Sequence, residues 1–224
     1  VDRRAALPIA ALAGSMVSIQ VGAALAQRLF PLVGAQGTTA LRVTLAAAIL
    51  LLIHRPSPKG LTGPHLRAIG LYGLSLGAMN LLFYLSLRTV PLGVAVAVEF
   101  TGPLVLAAAS HRSRLDFLWL ALAAGGLLAL APIGGSTVDP VGLLLALGAG
   151  VFWALYILFG QKAGETGGAA TSLGMTVAAV LVLPFGLAQA GASLFNPSLL
   201  PIAISVAVLS SALPYTLEMS ALTR

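Results

Sequence analysis

The 224 residues carry six acidic side chains, and two of them, Glu99 and Glu218, fall inside long apolar runs. Glu99 sits in VAVAVEFTGPL with no other charged residue within ten positions on either side. At the centre of a membrane helix an ionised side chain costs about 2.5–3.5 kcal/mol on insertion scales, and residues kept there at that cost are mostly functional. Pro103, four residues on, has no N–H to give the Glu99 carbonyl, which a continuous helix would otherwise satisfy. A carboxyl group, a freed carbonyl and the small Gly102 then lie together, a setting that can hold an ammonium group or carry a proton. The structural alternative is a protonated carboxyl that hydrogen-bonds a neighbouring helix.

A second group of polar residues falls in similar runs. Glu218 follows Pro214 and Tyr215, and Pro214 frees the carbonyl of Ser210, giving a local polar patch. Glu218 also lies near enough to a helix end to snorkel to water. Asn80 and Tyr84 are four apart and share a helix face. An amide and a phenol so placed suit a zwitterionic solute, or an ordinary interhelical hydrogen bond worth roughly 0.6 kcal/mol. Gln20, and Trp153 with Tyr156 three residues later, complete the candidate lining; for the aromatic pair the plain reading is packing or interfacial anchoring. Arg42 is read as an anchor at the outer interface, with attraction of a substrate carboxylate as the alternative.

These residues need apolar helices to position them. The composition is 58% hydrophobic and 8% charged, and the mean hydropathy is +1.01. A soluble domain carries about 25% charged residues, so this chain cannot cover a water-facing surface. It reads as an all-α polytopic membrane protein. A crossing helix needs about 20 apolar residues, and that window gives eight spans, at 7–25, 38–53, 68–87, 92–109, 117–133, 141–160, 171–190 and 199–222. The run after Arg3-Arg4 ends in Ala24-Leu25-Ala26, the form of a signal-peptidase site. It is long for a signal peptide and is read as the first span.

The net charge of +6 comes from twelve Lys and Arg scattered singly between apolar runs, with no basic face. Nucleic acid is therefore excluded as a partner, and the charges report topology. Arg3, Arg4, Arg55, Lys59, Arg67, Arg112, Arg114, Lys162 and Arg224 fall on one side, against Arg28, Arg42 and Arg88 on the other. The positive-inside rule then puts the N-terminus in the cytoplasm. The chain has no cysteine, and its three histidines, His54, His65 and His111, fall in polar loops, so neither thiol chemistry nor a metal site is expected.

The chain also repeats itself. GSMVSIQVGAALAQR (14–28) aligns with GAGVFWALYILFGQK (148–162) at an offset of 134, and ALRVTLAA (40–47) with SLGMTVAA (172–179) at an offset of 132. A unit of five spans is odd, so successive units must lie in opposite orientations, as in secondary transporters with a midplane site. The expected architecture is an inverted five-plus-five helix repeat, here about eight spans. Residues 1–133 form the first five-helix unit and 134–224 three helices of the second, with about two further spans beyond Arg224.

The segments SIQVGAALAQRLFPLVGAQGTTALR (18–42), MNLLFYLSLRTVPLGVAVAVEFTGPL (79–104) and SSALPYTLEMSALTR (210–224) carry a family resemblance. The chain resembles the drug/metabolite transporter superfamily of EamA type, and within it the bacterial threonine and homoserine exporters. That resemblance implies a bacterial inner-membrane exporter of small neutral amino acids, exchanged for protons by alternating access, with Glu99 as proton carrier and no cofactor. It also bears on Glu218 as a site residue. No nucleophile elbow, paired-Asp motif or phosphate-binding loop is present, so an enzyme is not expected. An exporter of an aromatic amino acid, a purine or a drug stays open, as do a non-transporting membrane subunit and a homodimer.

Overall fold

The computed structural model describes residues 3–57, 61–110 and 139–222 and five positions between (118, 121–122 and 125–126), with side chains only between 13 and 217. All regular structure among them is helical. The helices are α1 (Arg3–Ala26), α2 (Phe30–His54), α3 (Gly63–Ser86), α4 (Leu92–Glu99), α5 (Thr101–Ser110), α6 (Pro140–Ala163), α7 (Gly168–Ala190), α8 (Leu200–Ala207) and α9 (Leu213–Leu222). Among the described residues six helical stretches are long and apolar enough to cross a membrane. The first of these, Ala13–His54, has 42 residues. At about 1.5 Å per residue it would be roughly 63 Å long if straight, twice the hydrocarbon thickness. The fifth expected span, 117–133, lies almost wholly outside the described residues.

Each helix ends or breaks for a local reason. Gly34 has φ 70 and ψ 177, a backbone state that glycine reaches without a Cβ clash. The break leaves the next N–H groups without intrahelical acceptors. Gln189 of α7 supplies one: its Oε1 accepts from Gln36 N at 2.7 Å and Gly37 N at 3.3 Å. At the far end of α2, Arg55 adopts a left-handed φ of 43 and its N–H bonds the Leu51 carbonyl at 2.9 Å. Helix α3 starts with a capping box between Thr62 and His65. Helix α6 starts at Asp139, whose carboxylate accepts from Val141 N and Gly142 N, both at 3.2 Å, with Pro140 following. Pro103 separates α4 from α5 at Phe100, as its missing donor requires. Pro214 has a parallel effect, and a π turn over Val208–Ala212 joins α8 to α9.

Packing relies on small residues. The most extensive contacts are α2 with α7, α3 with α6 and with α7, and α1 with α9 and the π turn. Gly73 and Gly77 of α3 face α7, where a Cβ on either residue would run into the Gly174 carbonyl, Val177, Ala178 or Leu181. Gly102 lies so close to Gly150 of α6 that any Cβ would overlap its carbonyl. Between lipid-solvated helices there is little hydrophobic drive, so such close backbone approach supplies the association.

This packing can be tested by melting. Gly102→Val should lower the melting temperature in detergent, on the scale of the about 1–3 kcal/mol that overpacking costs. Gly93→Ala, where no atom lies within 4 Å of the added Cβ, should leave it unchanged. Equal melting of the wild type and Gly102→Val would show that α5 and α6 separate freely. The Asp139 carboxyl is held below its ordinary range by a hydrogen bond from Thr89 and by the two backbone N–H groups. A depressed carboxyl contributes stability above its unfolded-state pKa and loses it as pH falls through the folded-state value. The melting difference between wild type and Asp139→Ala should therefore be full at pH 7 and close under acid conditions.

Candidate functional site

Where α1, α2, α3, α4, α6 and α9 converge they enclose a cavity of about 70 Å³. One water needs about 10–15 Å³ on this measure, so the space takes several waters or the polar part of a small solute. Ile19, Ala23, Met79, Phe83, Val96 and Phe100 give it apolar walls. Against these stand Gln20, Arg42, Asn80, Tyr84, Glu99, Trp153 and Tyr215. Glu99 is 8% exposed and Arg42 3% exposed, so two groups of opposite charge are buried on one cavity.

Arg42 organises the polar wall. Its Nη2 donates to Asn80 Oδ1 on α3, and its Nη1 donates to the Ser210 carbonyl at 3.2 Å. The guanidinium carbon sits 4.6 Å from the centre of the Tyr84 ring, a cation–π contact. Asn80 in turn donates from Nδ2 to the Leu76 carbonyl at 2.7 Å and to Tyr215 Oη at 3.3 Å. Two carbonyls of the π turn are thus taken up from outside their helix. Ser210 bonds Arg42, and Leu209 accepts from Ser18 Oγ of α1 at 2.5 Å. The turn can approach α1 because Gly22 has no Cβ, which would meet Ser210. Among the described residues Arg42 Nε and Tyr84 Oη have no hydrogen-bond partner.

Six of the eight residues expected at a site therefore meet on this cavity: Gln20, Asn80, Tyr84, Glu99, Trp153 and Tyr215. Gln20 is exposed and lies at the rim. Trp153 is half-buried, with its ring edge-on to Phe100 at 4.7 Å. Tyr156 departs from the expectation. It is 1% exposed and packs behind the wall, 5.0 Å from the Tyr72 ring and 5.8 Å from Tyr215. Three residues of helix turn it away from Trp153 far enough to enter the core instead. Glu218 belongs to α9, and its side chain lies outside the described residues. No group of His and acids able to hold a metal occurs among the described residues.

Arg42 corrects the reading of an outer interface anchor. Helix α2 starts well before residue 38, so Arg42 lies eight residues past the Gly34 break, about 12 Å along the axis. There it is buried and cannot reach an interface. The freed Ser210 carbonyl is legible from Pro214, but its donor is not, because the two residues stand 168 positions apart.

Comparison with known proteins agrees with this architecture. Residues 140–224 match the EamA-like transporter family. The chain is 53% identical over 221 residues to the threonine/homoserine exporter RhtA of Salmonella typhimurium (strain LT2), covering 97% of this chain and 75% of that protein. Identity to the threonine/homoserine exporter RhtA of Escherichia coli (strain K12) is 52% over the same coverage. These relatives are exporters rather than enzymes. A solved crystal structure superposes with a TM-score of 0.67 at 19% identity, covering 95% of this chain and 79% of that one, which shows a shared fold. With apolar helices of membrane-crossing length and relatives of this identity along nearly its whole length, the chain is a multi-pass membrane protein that belongs to the EamA-like transporter family.

Proposed function

We propose that this chain exports small neutral amino acids, threonine and homoserine foremost, across the bacterial inner membrane in exchange for protons. The observation that carries the reading is Glu99, a carboxyl buried on a cavity between apolar helices, beside the polar groups of Arg42, Asn80 and Tyr84. The RhtA relatives, at 52–53% identity, supply the class of cargo. The pathway is alternating access, with two five-helix units, beginning in 1–133 and 134–224, rocking about the cavity. Support comes from the pattern of helix contacts. Adding or subtracting five spans turns the contact of span three with span six into that of span eight with span one, and both are extensive. The contact of spans two and seven maps onto itself, as a pseudo-two-fold axis requires. The excess of Lys and Arg on one side places the N-terminus in the cytoplasm.

Glu99 couples the two fluxes by competition. A carboxylate can hold a proton or the ammonium group of the cargo, and occupancy by one excludes the other. Loading from the cytoplasm releases the proton, and reprotonation from the outer side expels the cargo. No ATP is needed, because the proton gradient drives the exchange.

Labelled threonine should leave preloaded proteoliposomes faster under an inward proton gradient, with homoserine as a competitor. Threonine retained with and without the gradient would reject it as cargo, and efflux of an aromatic amino acid or a purine would then reassign the substrate. Glu99→Gln should express and melt like the wild type while gradient-stimulated efflux falls to the protein-free background. Undiminished efflux would remove Glu99 from the mechanism.

A further inference from the structure

We propose that Arg42 is the carboxylate anchor of this cavity, so that the cargo is recognised as a zwitterion held between Arg42 and Glu99. The inference rests on reading the cavity as the transport site. Arg42 enters from α2 and Glu99 from α4, and both line the same space. No ion pair within 4.0 Å joins them. Structural ion pairs buried in a helix bundle close on each other, because neither charge is otherwise compensated. Here the two charges stand apart across a space.

The partners of Arg42 strengthen the case. Its hydrogen bonds go to the Asn80 amide and the Ser210 carbonyl, and its guanidinium carbon lies over the Tyr84 ring. Every one of these is neutral, and among the described residues Nε has no partner. Neutral acceptors orient a guanidinium without cancelling its charge. A planar fork held in place by fixed acceptors is suited to a carboxylate, which it can engage through two parallel N–H donors. An α-amino acid presents a carboxylate and an ammonium group on one carbon. Such a molecule neutralises both buried charges at once, and an amine or a carboxylic acid alone leaves one uncompensated. Asn80 is the positioning residue in this arrangement: its Oδ1 holds Nη2, and its own Nδ2 is fixed by Leu76 and Tyr215.

The test compares an acid with its amide. L-Threonine and L-threoninamide share the ammonium group and the hydroxyl and differ in the carboxylate. Their dissociation constants can be read from ligand-induced shifts in the melting temperature of the purified protein. Wild type should prefer the acid by at least about thirtyfold, the lower range for losing one partner of a buried charge pair. Arg42→Gln should erase that preference by weakening binding of the acid. A role confined to packing would weaken both ligands equally, and that result overturns the proposal. If Arg42→Gln does not fold, Arg42→Lys keeps the charge and should keep a preference of the same sign; equal affinities in that variant also overturn it. Failure of threonine as cargo is separable. If wild type responds to neither threonine compound, alanine and phenylalanine are each compared with their amides. A preference for one of those acids, lost in Arg42→Gln, keeps the anchor and rejects threonine. No preference in any pair overturns the anchor.

Discussion

Polar groups placed inside an apolar bundle must find partners within the protein, and in this chain that requirement converges on Arg42. Its hydrogen bonds to Asn80 and to the Ser210 carbonyl tie α2 to α3 and to the π turn between α8 and α9. Each partner has a need of its own. The turn has released backbone carbonyls that hydrocarbon cannot satisfy, and Asn80 has an amide oxygen that α3 cannot satisfy from its own backbone. One guanidinium answers both and still faces the cavity. Leaving any of these groups unpaired would cost about 1–3 kcal/mol each.

The cavity exists because the helices are interrupted around it. Gly34, Pro103 and Pro214 each break the intrahelical ladder, and the neighbouring elements repair two of the breaks with side chains. Gln189 caps the restart of α2 after Gly34, while Arg42 and Ser18 take the carbonyls of the π turn. At Pro103 the break falls between α4 and α5, next to Glu99. Irregular backbone at membrane depth is tolerated where it is buried in protein or lines a polar space. Such breaks are also the places where discontinuous helices of transporters build their sites.

Close packing of small residues holds this arrangement together. Gly102 against Gly150, Gly22 against Ser210, and Gly73 and Gly77 against α7 let backbones approach to distances that a Cβ would forbid. The same economy of side-chain volume lets the rings of three tyrosines, Tyr72, Tyr156 and Tyr215, pack in series from the core to the cavity wall. Tyr215 belongs to both layers, packing on Tyr156 and accepting from Asn80.

Much of this is legible in the order of the residues. Apolar runs and their polar breaks locate the helices, because the membrane demands length and hydropathy that few other constraints imitate. Isolated acids, prolines four residues beyond a polar position, and an amide and a phenol on one face point to Glu99, Asn80, Tyr84 and Tyr215, since those signals are local. Tertiary structure decides what depends on residues far apart in the chain. Which helices meet, which side of Trp153 and Tyr156 faces the cavity, and how deep Arg42 lies follow from packing and from a helix start set by Gly34 and Gln189, which are brought together across 155 positions. The capacity for charge in the membrane is written in residue types and spacing; its pairing is decided in three dimensions, because a hydrogen bond depends on distance and angle, and sequence order constrains neither.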